Sequence, residues 1–235
     1  MDDLKLVIIP CREPIPSECH TIYNDSYELW NLVWSETLKE LDGLEKLPSN
    51  EFTRFDFASV ILEKGKPISL MCYTSVDMGL KPRRFDSWFD SWPSEILDRQ
   101  KEREGLGLIA AWFCTHPNYR KSSQVALNFN VTQVLAEVFG KIIISDSYNV
   151  GYGMTRNNRS VGKYSINIGG EVIANASAHN CDVSLVLFEP EKILSKQFSY
   201  SAELKHLWKN RVDFRCLGTE RKQRINNERK TKKAA

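Results

Sequence analysis

Hydrophobic positions follow two spacings along the chain, and these predict interleaved strands and helices. A short apolar run at residues 4–9 is typical of a first strand, since Pro10 ends it. Over residues 25–43 apolar side chains recur every three or four positions, which predicts an amphipathic helix. Two runs at 56–63 and 67–76 are separated only by Lys-Gly-Lys, so we predict a β-hairpin there.

The second half of the chain continues the alternation. An apolar run at 107–115 predicts a buried strand, and a long helix is expected over 123–139, ended by Gly140. Further strands are predicted at 141–145, 171–174 and 182–188, and further helices at 94–102 and 157–168. This order predicts an α/β fold in which helices flank a sheet with both parallel and antiparallel pairs.

Composition is that of a soluble protein. The 235 residues are 42% hydrophobic and 26% charged, and no apolar run approaches the roughly 18 residues needed to cross a membrane. The start, Met-Asp-Asp, lacks the basic residues of a signal peptide. Six scattered cysteines contain no C-x-x-C pair, so we expect a cytoplasmic protein with free thiols and no metal.

Charge is distributed unevenly. Residues 205–235 carry 11 basic and 3 acidic side chains, a local charge of +8, whereas the remainder carries −6. A basic tail can attract RNA, DNA or an acidic partner, but residues 220–235 have few apolar side chains and favour a solubilising end. We predict one domain over residues 1–200 and a partly disordered basic helix or tail over 201–235.

The most informative motif is the strand–turn–helix pattern at residues 107–139. Its centre at 113–120, Phe-Cys-Thr-His-Pro-Asn-Tyr-Arg, resembles the end of the fourth strand in the GNAT superfamily, where a Pro-x-Tyr-Arg turn precedes a helix. Backbone N–H groups after that turn hold the coenzyme A pyrophosphate in the superfamily, because a helix start offers unpaired amides and a positive dipole end. A second resemblance is Asn158, followed by a helix, Gly169 and a strand.

The resemblance implies a GNAT-like α/β fold with a mixed, mostly antiparallel central sheet flanked by helices. It also implies an N-acyltransferase that moves an acyl group from a thioester, acyl-CoA or acyl carrier protein, to an amine by direct attack in a ternary complex. Acetyl-CoA or a longer acyl-CoA would be the co-substrate, without a metal. The donor-binding residues that it implies are Thr115, Arg120, Lys121, Ser122, Ser123, Gln124, Val125 and Asn158.

The phosphate turn differs from the superfamily pattern because Ser123 and Val125 replace its two glycines. Glycine allows close backbone approach to a phosphate. An acyl carrier protein thioester or an aminoacyl-tRNA therefore stays open as the donor, and the basic tail would suit either. A GNAT-shaped binding module with altered catalysis is the non-enzymatic alternative.

Direct attack on a thioester needs a base, an oxyanion donor and an acid. Candidate bases are His116, Glu104, Asp86 and Asp90. By position in the superfamily, the backbone amide of Cys114 or Thr115 would stabilise the carbonyl oxygen. The superfamily's acid position corresponds to Ser165 here, and Tyr164, one residue and a rotation of about 100° earlier on the helix, is the candidate that would protonate the departing thiolate. Cys114 is also a candidate for an acyl intermediate, although a buried strand cysteine is usually inert.

Two pairs of tryptophans, 30 with 34 and 88 with 92, are spaced four residues apart and mark candidates for the acceptor site. Trp30 and Trp34 lie four residues apart in the first predicted helix, and Trp88 lies between Asp86 and Asp90. On a helix, such spacing gives an aromatic and an acidic stripe that suit the apolar and ammonium parts of an amine. Core packing of the indoles is the alternative. We predict these five residues as substrate-binding, for a small-molecule or peptide amine, and leave the oligomeric state open.

Overall fold

The computed structural model describes residues 3–43, 47–120, 127–178 and 180–215. Within these ranges the strands are β1 Leu4–Pro10, β2 Phe57–Glu63, β3 Lys66–Val76, β4 Gly107–Thr115, β5 Val150–Arg156, β6 Gly170–Ala178, β7 Cys181–Phe188 and β8 Val212–Asp213. The helices are α1 His20–Asp42, α2 Asn50–Thr53, α3 Lys81–Arg84, α4 Ser94–Gln100, α5 Val131–Ser145, α6 Val161–Asn167, α7 Pro190–Leu194 and α8 Ser201–Lys209.

The strands form one sheet in the order β6-β7-β5-β4-β3-β2-β1-β8. Pairing is parallel between β4 and β5 and between β1 and β8, and antiparallel between the other neighbours. The predicted mixed, mostly antiparallel sheet flanked by helices is therefore confirmed.

Each face of the sheet is covered by its own layer of helices. Because side chains alternate along a strand, Leu70 of β3 points into the cluster under α1, and its neighbour Met71 points into the cluster under α5. Trp30 is the largest buried side chain on the α1 face, and Phe139 is prominent on the α5 face. The two faces are called the α1 face and the α5 face below.

Several strands and one helix are confirmed close to their predicted bounds. The apolar runs at 4–9 and 107–115 are β1 and β4, and the hairpin runs are β2 and β3. Gly65 makes the hairpin turn with a φ of +80°, a conformation that glycine adopts without strain. The predictions at 94–102, 171–174 and 182–188 correspond to α4, β6 and β7, whereas α1 begins five residues earlier than predicted.

The predictions around α5 are wrong in position. The helix expected over 123–139 runs from Val131 to Ser145, so no strand exists at 141–145. Gly140 does not end it but lies inside, where a β-carbon would come 3.2 Å from the ring of Phe198. The short apolar run after Gly140 suits a strand or a buried helix equally well, since periodicity alone does not separate them.

The next strand, β5, was missed because glycines interrupt its hydrophobic pattern. A β-carbon on Gly151 would lie 2.6 Å from Cδ1 of Ile143 and 2.9 Å from Cζ of Phe139. Helix α5 therefore packs too closely on β5 for a side chain at this position. The helix predicted at 157–168 is the shorter α6, which begins four residues later.

The C-terminal elements pack into the same core. Leu204 and Leu207 of α8 are buried on the α5 face, and β8 pairs with β1 through Val7 and Val212. Residues 216–235, most of the predicted tail, lie outside the described residues. None of the helices in the described ranges combines the length and hydrophobicity needed to cross a bilayer.

A buried carboxylate fastens the segment before α8 to α5. Glu137 accepts hydrogen bonds from Nε2 of Gln133 (3.2 Å) and from the backbone N–H groups of Ser199 (3.0 Å) and Tyr200 (3.3 Å). Burial raises the pKa of Glu137, so the fold favours its protonated form. The raised pKa therefore adds to the free energy of unfolding. This contribution is complete below the ordinary pKa of a glutamate and is lost as pH rises through the raised pKa.

We expect Glu137→Leu to lower the free energy of unfolding by about 1–3 kcal/mol, because two backbone amides lose their acceptor. Glu137→Gln keeps an acceptor oxygen and should lose less, and its stability should vary less between pH 5 and pH 8. Urea unfolding of both variants at the two pH values tests this. Equal losses, or an unchanged pH dependence in the glutamine variant, would contradict it.

Candidate active site

Strands β4 and β5 pair along only part of their length. The parallel register runs from Gly107 with Val150 to Ala110 with Gly153, and no pairing of these two strands is recorded beyond it in the described residues. Their outer neighbours stay paired to the strand ends, β3 with β4 as far as Thr115 and β5 with β7 as far as Arg156. The sheet therefore opens between β4 and β5 toward their C-terminal ends.

A β-bulge accompanies the opening. The β3–β4 register shifts between Leu70 and Cys72, and Trp112 opposite has a φ of +53°. That left-handed conformation costs a non-glycine residue about 1–3 kcal/mol. The indole of Trp112 packs edge-on against Trp30 and Trp34 of α1, with ring centroids 5.7 and 4.8 Å apart. These contacts offset the strain and hold the bulge in place.

A cavity of about 320 Å³ fills the opening and is lined from both faces of the sheet. On the α1 face its walls include Val33, Trp34, Thr37 and Met154. On the α5 face they include Met71, Phe113, Ala136, Phe139, Tyr164, Ile168 and Phe188. Arg120, Arg156 and Arg159 also line it. The cavity is thus an apolar passage through the sheet that carries positive charge.

The Pro-x-Tyr-Arg turn directly follows β4, as predicted, and forms the short 3-10 helix Pro117–Tyr119. The Tyr119 hydroxyl donates a hydrogen bond to the carboxylate of Glu63, which anchors the turn to the β2–β3 hairpin. Arg120 folds back, and its Nε donates to the carbonyl of Thr115 at 3.3 Å. The turn therefore places a guanidinium at the open end of β4.

The strand register distinguishes the two candidate amides, Cys114 and Thr115. The N–H of His116 donates to the carbonyl of Ile68 at 2.9 Å, so these two residues form a hydrogen-bonded pair. Hydrogen-bonded and non-hydrogen-bonded pairs alternate in an antiparallel ladder, so Cys114 is bonded to β3 and Thr115 faces away from it. The bond from Arg120 to the Thr115 carbonyl agrees. The Thr115 amide is therefore directed toward the cavity.

Three hydroxyl groups connect β4 to the start of α5. Ser69 Oγ donates to the carbonyl of Cys114 (2.9 Å) and lies 2.8 Å from Thr115 Oγ1, which lies 3.1 Å from Thr132 Oγ1. Because the Ser69 proton is used on Cys114, Thr115 must donate to Ser69 and Thr132 to Thr115. These hydrogen-bonded hydroxyl groups hold the first turn of α5 against the end of β4.

The hydroxyl of Tyr164 on α6 meets the same end of α5. Asn130, the residue before α5, accepts from the backbone N–H groups of Thr132 (3.0 Å) and Gln133 (3.2 Å) through Oδ1. Its Nδ2 donates to Oη of Tyr164 at 3.0 Å. The cavity therefore has a tyrosine hydroxyl on the α5 face and the Thr115 amide on β4.

Neither a protein-family model nor a curated protein sequence matches this chain. Solved structures of similar fold include the following three. FeeM, an N-acyl amino acid synthase from uncultured soil microbes, has a TM-score of 0.55 at 10% identity, covering 85% of this chain and 98% of its own. The AHL synthase LasI has a TM-score of 0.54 at 12% identity over 80% and 90%, and the CoA-dependent acyl-homoserine lactone synthase BjaI has 0.54 at 11% over 81% and 86%.

The chain has the GNAT fold. The resemblance at residues 113–120 is thereby confirmed at the level of the fold. In this GNAT fold the opening between β4 and β5 contains Trp34, Cys114, Thr115, Arg120 and Tyr164 together. These five predicted site residues line one cavity.

Other predicted residues lie outside the cavity lining of this GNAT fold. His116 is a half-buried turn residue whose Nδ1 accepts from the N–H of Asn118 at 3.3 Å. Trp30 is completely buried in the core, and Asn158 is exposed between β5 and α6. Lys121, Ser122, Ser123, Gln124 and Val125 lie outside the described residues.

The segment that contains Asp86, Trp88 and Asp90 packs away from the cavity, and two of these three residues make contacts within the fold. Residues Ser87–Phe89 form a single 3-10 turn rather than an α-helix, so the aromatic and acidic stripes do not form. Asp86 caps this turn through the N–H of Trp88 (3.0 Å) and pairs with Arg54 (2.9 Å). Trp88 packs in an aromatic cluster, and Asp90 is exposed. None of the three lines the cavity.

The geometry gives little support to an acyl intermediate on Cys114 or to Glu104 as the base. Burial raises the pKa of the Cys114 thiol, which favours the neutral and weakly nucleophilic form. Glu104 is exposed near the opposite, N-terminal end of β4. No carboxylate or imidazole occurs among the described cavity-lining residues, and the described ranges contain no group of three or more side chains suited to a metal ion.

Sequence reasoning missed Asn130, Arg156 and Arg159. The last two begin and end an Arg-Asn-Asn-Arg run that starts at the last residue of β5, and their charge was the available signal. It was not recognised because β5 itself was not predicted. The guanidinium of Arg156 lies 5.9 Å from the ring of Trp34, which places it on the α1 face.

Proposed function

We propose that this protein is an N-acyltransferase that moves an acyl group from a thioester to an amine in a ternary complex. The observation that carries the proposal is the cavity through the sheet, with the Thr115 amide and the Tyr164 hydroxyl on it. Solved structures of similar fold include an N-acyl amino acid synthase and acyl-homoserine lactone synthases, which supports the same general chemistry.

In the proposed reaction the thioester carbonyl lies in the β4–β5 opening, and its oxygen accepts from the N–H of Thr115. A preorganised amide stabilises the charge that develops on this oxygen. The amine nitrogen attacks the carbonyl carbon, the carbon–sulfur bond breaks, and the thiolate takes the proton of Tyr164. The phenolate then regains a proton from solvent, so one amide and one thiol are formed.

The amine must lose one proton before attack and another after it. Because the described lining contains no carboxylate or imidazole, we assign this transfer to water. Arg156, on the acceptor side of the cavity, assists, since nearby positive charge disfavours the ammonium form of the acceptor. His116, Glu104, Asp86 and Asp90 are given no role as base in this proposal.

The phosphate end of the donor is assigned to Arg120 and Arg159. The helix-start amides of Thr132 and Gln133 already bond to Asn130, so they are poor candidates for phosphate. Guanidinium groups bind phosphate oxygens through charge-assisted hydrogen bonds. Arg120 and Arg159 suit the phosphates of a coenzyme A thioester as co-substrate. The prediction that residues 121–125 also bind the donor stays part of this proposal.

The acyl group is assigned to the apolar α5 face, and the acceptor to the α1 face. Ala136, Phe139 and Ile168 give the α5 side a hydrocarbon lining suited to a chain longer than acetyl. Trp34 and Arg156 give the α1 side an aromatic and a cationic surface. A small-molecule amine with an apolar part suits this surface.

Calorimetric titration with acetyl-CoA and octanoyl-CoA, followed by mass spectrometry of an amine-library reaction, tests the proposal. We expect micromolar to millimolar donor binding and a new amide product. Binding without any product would favour a GNAT-shaped binding module. Neither binding nor product with CoA thioesters would overturn the coenzyme A assignment, and the same assay with acyl carrier protein or aminoacyl-tRNA would then test the alternative donors.

Arg159→Gln is expected to raise the KM for an acyl-CoA about 10-fold, because one charge-assisted contact to phosphate is lost. The KM for the matching N-acetylcysteamine thioester, which lacks phosphate, should not change. Lys163→Gln on the exposed surface of α6 is the charge-matched control. An equal effect on both donors would contradict the assignment of Arg159 to phosphate.

A further inference from the structure

Asn130 uses both ends of its side-chain amide, and they point to different elements. Oδ1 bonds to the backbone N–H groups of Thr132 and Gln133 at the start of α5, and Nδ2 bonds to Tyr164 on α6. The orientation of the amide is determined by these partners. Two N–H donors require the oxygen, so the nitrogen must face the tyrosine.

This orientation fixes the direction of the Tyr164 proton. Because Nδ2 is a donor, the phenolic oxygen acts as the acceptor in this bond, and the hydroxyl proton must point elsewhere. Within the described part of the chain, no acceptor for that proton is recorded within hydrogen-bond distance. Tyr164 lines the cavity, so the proton is available to a group bound there.

We propose that Asn130 is a positioning residue, which aims the Tyr164 proton at the departing sulfur and stabilises the phenolate left behind. The proposal rests on the N-acyltransferase function proposed above. A donor to the phenolic oxygen favours the ionised form that proton transfer produces. Asn130 thereby has two roles, since it caps α5 and orients the acid in the acyl-transfer step.

The same turn of α5 also connects to the oxyanion donor. Thr132, two residues after Asn130, belongs to the series of hydroxyls that contacts Thr115, whose amide binds the thioester carbonyl oxygen in the proposed function. The start of α5 is therefore bonded on one side to β4 and on the other to α6. The distance between the amide and the acid is set by this one helical turn.

Asn130→Asp is the decisive variant. Aspartate caps a helix as well as asparagine does, so α5 should be retained. However, its second oxygen can only accept, and it captures the Tyr164 proton instead of directing it. We expect kcat with an acyl-CoA to fall about 10- to 100-fold, part of the total that a general acid supplies, with KM nearly unchanged.

A second donor distinguishes proton delivery from damage to the structure. S-(4-nitrophenyl) thioacetate releases a thiolate that needs no protonation, so Asn130→Asp should retain nearly wild-type kcat/KM with it. Asn130→Ser keeps the cap and lacks both the amide N–H that reaches Tyr164 and a carboxylate, so its loss with acyl-CoA should be smaller. In the double variant with Tyr164→Phe, Asn130→Asp should cause no further loss.

The outcomes distinguish a failure of this positioning role from a failure of the proposed N-acyltransferase function. Equal losses of Asn130→Asp with both donors, or a full additional loss in the double variant, would overturn the positioning role. A wild-type protein that transfers no acyl group from either donor would overturn the proposed function before any variant is compared. Loss of kcat with acyl-CoA alone, and its absence in the Tyr164→Phe background, is the expected result.

Discussion

Tyr164→Phe is expected to lower kcat for transfer from an acyl-CoA about 100- to 1,000-fold, because the thiolate then leaves without a proton. The phenyl ring keeps the packing against the α5 face, so donor binding by calorimetry should change little. Rates are measured by release of free thiol. As with Asn130→Asp, the loss should nearly vanish with S-(4-nitrophenyl) thioacetate, since its leaving group needs no acid.

Tyr148→Phe provides the matched control. It also loses a phenolic hydroxyl with one partner, Ser75 at 2.8 Å, but at the N-terminal end of β4, where Ser75 lies opposite Leu108. Its kcat should stay within about 3-fold of wild type. If Tyr164→Phe behaved like Tyr148→Phe with acyl-CoA, another group would have to protonate the thiolate.

Ala136→Phe is expected to shift the preference for acyl chain length toward short chains. Ala136 is 4% exposed and lines the α5 side of the cavity, so a phenyl ring there occupies part of about 320 Å³. We expect kcat/KM for octanoyl-CoA to fall about 100-fold, because removing space for a few methylenes has effects of this size. The value for acetyl-CoA should stay within about 3-fold of wild type.

The quantity to measure is the ratio of kcat/KM for octanoyl-CoA to kcat/KM for acetyl-CoA. Overpacking costs stability, about 1–3 kcal/mol, and this lowers both rates through the fraction of folded enzyme without changing their ratio. Ala136→Ser adds little volume and should keep the wild-type ratio. A ratio unchanged in Ala136→Phe would place the acyl chain elsewhere in the cavity.

Much of the sheet was predictable because its central strands are continuous apolar runs. The hairpin and β4 are buried on both faces and are bounded by glycine or turn residues, so local pattern and tertiary position agree. In β5 they disagree. Gly151 is required by the close approach of α5, and a glycine conceals the pattern that would have revealed the strand.

The start of α5 was misplaced for a similar reason. Apolar periodicity extends back to Leu127, but the helix begins where the Asn130 side chain binds two backbone amides. A cap is a short-range contact, and asparagine is also favoured in turns, so the residue type alone does not locate the helix start. The hydrophobic pattern therefore predicts that a helix follows the turn but determines neither its first nor its last residue.

The candidate site could be predicted where its residues are contiguous in sequence, but not where residues distant in sequence meet through packing. Thr115 and Arg120 belong to one contiguous motif, and both line the cavity. Asn130 and Tyr164 are 34 positions apart and meet only because α5 and α6 cover the same face. Trp30 was predicted at the acceptor site, yet its contact with Trp112 gives it a supporting position behind the cavity.

The three indoles around the β4 bulge also give the protein an optical property. Trp34 lines the cavity and contacts Trp112, and the guanidinium of Arg156 lies over its ring. Indole emission responds to nearby water and to neighbouring charge, so a molecule that displaces water from this wall changes the fluorescence of Trp34. The bulge that shapes the cavity thereby also supplies an intrinsic, label-free signal of its occupancy.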